Sequence, residues 1–149
     1  MHIKDWIDRI SKPNDELGGF PVCPFAAGAP YQLIETDGNI TPPTEEFEVI
    51  IYKLADTFTQ DEVCSIADQH NKLFPNLVFL PDPKDRYTDI NGVQTSNGHA
   101  NVILCQPRKK LEAARKNLVN TKYNDFGAVE LNDNIVFASS RDEGVSVKR

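Results

Sequence analysis

Thr59-Gln60-Asp61-Glu62 is a capping box. Thr59 is the N-cap, Glu62 reaches back to the Thr59 amide, and the acidic first turn suits the positive end of the helix. Val63, Ile66, Ala67, His70, Leu73 and Phe74 recur on one helical face, and Pro75 closes the run. Residues 46–54, just upstream, are rich in β-branched and aromatic side chains around an apolar centre, which predicts a strand covered on both faces. Leu77-Val78-Phe79-Leu80, just downstream, predicts a second. A capped helix held this tightly between two strands admits few arrangements other than a β-α-β unit.

The pattern then returns. Residues 101–105 predict a third strand, stopped by Pro107, and residues 108–120 predict a helix carrying Leu111, Ala113, Ala114, Leu118 and Val119 on one broad face. Residues 129–131 and 135–138, separated by Asn132-Asp133-Asn134, read as strand, tight turn, strand. Residues 46–138 therefore predict an α+β fold of the ferredoxin-like split βαβ type, βαββαβ, with both helices on one face of an antiparallel sheet. Ile3, Trp6, Ile7 and Ile10 predict a short amphipathic helix ended by Pro13, and residues 31–34 a short strand. The expected organisation is a single domain over residues 1–149. Residues 1–45 form an N-terminal extension over an edge or the open face, residues 46–138 the sandwich, and residues 139–149 a polar tail. Residues 81–100 are too polar and too rich in turn formers for a regular element, and a loop of that length is commonly functional.

A net charge of −6 argues against a chain that coats nucleic acid, whose phosphates demand many Lys and Arg contacts. No run of about 18 apolar residues is present to span a membrane. The first residues mix charges without an apolar signal core, so a cytoplasmic location is expected. Cys23, Cys64 and Cys105 are odd in number and widely spaced, which predicts reduced thiols rather than a disulfide framework.

Candidate chemistry centres on Gly18-Gly19-Phe20-Pro21-Val22-Cys23-Pro24-Phe25, where two prolines hold a thiol on a stiffened connector. Cys23 is the candidate nucleophile, with His99, at a loop-to-strand junction, as its acid/base partner. A buried apolar plug is the competing role for Cys23. His70, on an apolar helical face, reads as a hydrogen-bonded core residue. Arg108-Lys109-Lys110 opens a helix against its dipole, so an anionic ligand held by Arg108 and Lys109, with Arg86 from the long loop, is one expectation; carboxylates from elsewhere in the chain are the other. No resident metal is expected, since C-x₂-C and H-x₃-H spacings are absent; a set of Cys23, His99 and Cys105 is the metal alternative. The Cys-Pro dipeptide leaves haem as the one cofactor to weigh.

Over residues 12–25 the chain resembles a bacterial family without an assigned activity, whose signature is His-Pro-x-x-Leu-Gly-Arg-x-Gly-Pro-Val-Cys-Pro-Phe. A second such family, with Leu-Cys-Pro-Phe-Ala, is similar over fewer residues. Lys12 and Gly19 replace the histidine and the arginine of the first signature, while Pro21, Val22, Cys23, Pro24 and Phe25 carry over. The resemblance implies that Cys23 belongs to a site and names no reaction. Three functions stay open in this order: a protein that binds a protein partner or a small anionic ligand, with a homodimer among its forms; a thiol-dependent enzyme working through Cys23 on a small anionic substrate; and a haem or metal binder.

Overall fold

The capping box forms as the sequence writes it. The Glu62 amide donates to Thr59 Oγ1 at 3.2 Å, and the Thr59 amide donates to Glu62 Oε1 at 2.9 Å. The computed structural model describes residues 3–19, 30–90 and 92–118. Its elements are α1 (Ile3–Ile10), a single 3₁₀ turn (Asp15–Leu17), β1 (Gln32–Glu35), β2 (Ile50–Leu54), α2 (Gln60–Leu73), β3 (Leu77–Asp82), β4 (Asp89–Ile90), β5 (Val93–Gln94), β6 (Asn101–Pro107) and α3 (Arg108–Leu118). The proposed strands over residues 129–138, the tail and Cys23 lie outside the described residues.

Four strands form one sheet in the order β1-β2-β6-β3. β6 runs antiparallel to both β2 and β3, so the two strands joined by α2 are parallel to each other with β6 between them. This α+β arrangement was legible in the sequence. The all-antiparallel sheet was not: β1 lies parallel to β2, with Gln32 opposite Ile50 and Glu35 opposite Lys53, which makes the sheet mixed and gives β1 the edge beside β2. A parallel pair needs a crossover, and residues 36–49 supply it without a helix. Ile40 and Phe47 from this crossover enter the core, and a Cβ on Gly38, at φ +103°, would meet Ile66 Cδ1 at 3.3 Å.

Alternation along the strands divides the core. Tyr52, Leu54, Phe79, Ile103 and Cys105 face α2, where Val63, Ala67 and His70 meet them. Leu80 and Leu104 face the other way and lie beside Trp6 of α1. The N-terminal helix thus covers the sheet face that α2 leaves open, burying Ile3, Trp6, Ile7 and Ile10 as their spacing predicts. Leu73 departs from expectation: it is exposed, because it sits to one side of the helical line of Val63, Ala67, His70 and Phe74 that meets the core.

The second correction concerns residues 81–100. β3 continues through Pro81 to Asp82, and β4 and β5 form a small hairpin, so the segment is built rather than irregular. Asparagines do the building. Asn97 donates its backbone N–H and Nδ2 to Asp82 Oδ2 at 3.0 and 2.7 Å, while its Oδ1 accepts the amides of His99 and Ala100. Asn101 donates Nδ2 to the Ala55 and Phe58 carbonyls and accepts the Lys84 amide, tying the β2–α2 connection to the turn after β3. Polar composition concealed order because here the polar side chains substitute for backbone ladders.

Candidate functional site

Two features at opposite sides of the sheet are candidates: a polar cleft beneath α1 and the edge strand β1. The cleft exists because α1 is anchored by polar bonds rather than by apolar contact alone. Trp6 Nε1 donates to the Thr95 carbonyl at 3.0 Å, and Arg9 donates Nη1 and Nη2 to the Gln94 and Ser96 carbonyls, both at 2.7 Å. Asp82, Arg86, Thr88 and Ser96 line the space left between helix and sheet, which is wide enough only for a water-sized group. Burial pushes the Asp82 carboxyl up to about 6, against the opposing pull of the Asn97 hydrogen bonds and the Arg86 and Arg9 charges. Thr88 and Thr95 close the hairpin side through a hydroxyl–hydroxyl bond. This arrangement lets Asp82 keep its proton up to about pH 6 and fastens the 82–100 segment to β3.

The residues singled out from sequence do not converge on this cleft. Arg86 lines it, but its Nη2 donates to Cys64 Sγ of α2 at 2.9 Å. His99 is exposed, with its amide held by Asn97. Cys23 is outside the described residues, so its pairing with His99 has no geometry to set beside it. Cys105 points into the α2-facing core, where burial pushes its thiol up to about 12, a poor setting for a thiolate ligand. Among the described residues no three His, Cys, Asp or Glu side chains gather to hold a metal ion. His70 is a core residue: Nδ1 donates to the Ile66 carbonyl at 2.7 Å and the ring stacks on Phe74.

The basic turn that opens α3 is compensated from within. Lys110 is buried and its Nζ meets Glu46 at 3.2 Å, Glu48 at 3.6 Å and the Phe47 carbonyl at 3.2 Å. Arg108 donates Nε to the Pro75 carbonyl at 2.9 Å and Nη2 to the Leu77 carbonyl at 3.4 Å. Lys109 is exposed on an open groove that Glu45 and Glu46 also line. Of the three cations, two are therefore occupied by groups of the chain itself, and the third stands among carboxylates.

The sheet edges complete the picture. On β3 the outward-facing peptide groups are those of Leu77, Phe79 and Pro81. Leu77 donates its amide to the Phe74 carbonyl and receives Arg108; Phe79 has both its amide and its carbonyl bound by Asn71; Pro81 has no amide to offer. On β1 the Gln32 amide donates to Val49 and the Thr36 amide to Lys53, so these even-numbered residues face β2. Leu33 and Glu35 face outward, and their peptide groups have no partner among the described residues. Every residue of β1 is exposed, with Leu33 at 49% and Ile34 at 38%. Sequence reading missed this asymmetry, although Pro81 inside an apolar strand was a signal for an edge.

No family model, no curated protein and no solved structure matches this chain.

Proposed function

We propose that the chain is a protein-binding module that takes a partner by strand addition at β1. The observation that carries this reading is the unequal treatment of the two edges. An open edge is a template for another strand, and chains that must remain unpaired blunt it with prolines, charges or covering side chains. β3 has such protection along its length; β1 has outward amides at Leu33 and Glu35 beside exposed Leu33 and Ile34. Ladder bonds supply affinity in this mode, and side chains alternating between the two faces supply selectivity.

The scaffold we assign to this module is ferredoxin-like. Support comes from β2, α2, β3, β6 and α3 in that order, with β6 between two parallel strands. In this reading β1 takes the edge where such a fold ordinarily sets its last strand. A reducing, cytoplasmic setting fits the free thiols of Cys64 and Cys105.

Amide hydrogen exchange on the full chain at high dilution tests the reading. Leu33 and Glu35 exchange freely while Ile51 and Ile103 are protected, as an open edge requires. Protection of Leu33 and Glu35 in the dilute chain means the edge is already covered, and the proposal fails.

A further inference from the structure

We infer that the strand added to β1 is the β1 strand of a second copy of this chain, paired antiparallel about a two-fold axis at Leu33. The inference rests on the strand-addition reading and specifies the partner. In an antiparallel pair, directly opposed residues either both exchange hydrogen bonds or neither does, so outward-facing residues must oppose outward-facing residues. With Leu33 and Glu35 outward and Gln32 and Ile34 turned to β2, a two-fold pairing is restricted to registers centred on a single residue.

The side chains select among those registers. Centring on Glu35 sets two carboxylates face to face, which is repulsive. Centring on Ile34 opposes Leu33 to a carboxylate, and centring on Gln32 brings Pro30 into the ladder and leaves Glu35 outside it. Centring on Leu33 places Leu33 against Leu33, Gln32 against Ile34 and Glu35 against Tyr31. That register opposes no like charges, and each Glu35 keeps Lys53 of its own sheet beside it.

The edge asymmetry gives this pairing a stopping point. Joining two copies at β1 produces one sheet in the order β3-β6-β2-β1-β1-β2-β6-β3. Both ends of that sheet are β3, the strand closed by Asn71, Arg108 and Pro81. The interface is isologous and leaves this sheet no open edge among the described residues, so assembly ends at a dimer.

Sedimentation equilibrium and amide exchange across a concentration series, on the full chain and on two variants, test the inference. The wild-type chain reaches twice its monomer mass, and Leu33 and Glu35 gain protection over the same concentration range. Leu33→Pro deletes only an outward amide, leaves the bonds to β2 in place, and removes two ladder bonds per dimer. Its self-association weakens about thirtyfold, with an unchanged circular dichroism spectrum. Leu33→Lys, which has no backbone effect, weakens association as well and more so at low salt, because it sets two ammonium groups at the axis. A chain that stays monomeric with Leu33 and Glu35 open at every concentration overturns the self-pairing and leaves β1 an open edge. A monomer protected at both amides overturns the strand-addition reading too. A dimer that neither variant weakens is built on another surface and overturns the inference.

Discussion

Asn71 holds the peptide group of Phe79 from both sides: Oδ1 accepts its amide at 2.8 Å and Nδ2 donates to its carbonyl at 3.0 Å. A side chain of α2 thereby serves as the missing neighbour of an edge strand. This bond pair fixes the spacing of helix and strand and closes the edge at its centre. Asn71→Ala leaves a half-buried donor and acceptor unsatisfied, and the expected loss is about 2 kcal/mol in urea unfolding. Asn71→Asp retains the acceptor for the Phe79 amide but sets a carboxylate oxygen against the Phe79 carbonyl, so it recovers less than half of that loss. Equal stability of Asn71→Ala and wild type would show that water replaces the side chain at no cost.

Tyr52 presents the opposite situation. Its hydroxyl is buried in the α2-facing core without a hydrogen-bond partner among the described residues. Tyr52→Phe removes the unsatisfied group while keeping the ring that packs near Phe79 and Ile103, so the variant is expected to be more stable than wild type by about 1 kcal/mol. Thermal and urea unfolding measure the change; a loss of stability would mean that the hydroxyl is bonded.

Asp82 makes stability depend on pH with a definite sign. Burial raises its carboxyl from 3.8 to about 6 in the folded chain. Between those values the folded chain holds a proton that the unfolded chain has released, so Asp82's contribution to stability is fully present below 3.8 and is lost as pH rises toward 6 and beyond. Asp82→Asn keeps an oxygen for the two Asn97 donors and cannot ionise. Above pH 6 it is expected to exceed wild type by at most about 3 kcal/mol, with the gap closing as pH falls to 4. Unfolding free energies of both proteins across about pH 3 to 7, which brackets 3.8 and about 6, decide the point, and parallel curves would contradict it.

The docking of α1 has its own reporter, since Trp6 is the only tryptophan in the chain. Arg9→Ala removes the donors to the Gln94 and Ser96 carbonyls and leaves the Trp6 bond to Thr95. The helix is expected to release at lower denaturant than the sheet, shifting the Trp6 emission to longer wavelength before the circular dichroism of the core changes. Coincident transitions would show that α1 and the sheet unfold as one unit.

Much of the framework was legible because its signals are local. The spacing of Ile3, Trp6, Ile7 and Ile10 marks a buried helical face, and Pro107 marks the end of β6. The basic turn at Arg108 also announced that compensation was required, and the structure supplies it from Glu46, Glu48 and the Phe47, Pro75 and Leu77 carbonyls. The candidate site was less legible. The proposed partnership of Cys23 with His99 depends on a residue outside the described chain, whereas the polar cleft depends on Asn97 meeting Asp82 fifteen positions away. Nothing in the spacing of those two residues declares that contact.

The sequence by itself determined where α1, α2, β3, β6 and α3 begin and most of the faces that α1 and α2 bury, because caps, prolines and the periods of 2 and 3.6 act within a few residues. It determined that Glu62 would meet Thr59 and that residues 77–80 would form a strand. Tertiary structure alone decided that β1 lies parallel to β2, that Asn71 closes one edge, and that Leu33 and Glu35 face outward on the other with no partner among the described residues. Strand direction and neighbour are set by which distant surfaces bury one another and by where the crossover passes, and an exposed four-residue strand carries too little pattern to declare either.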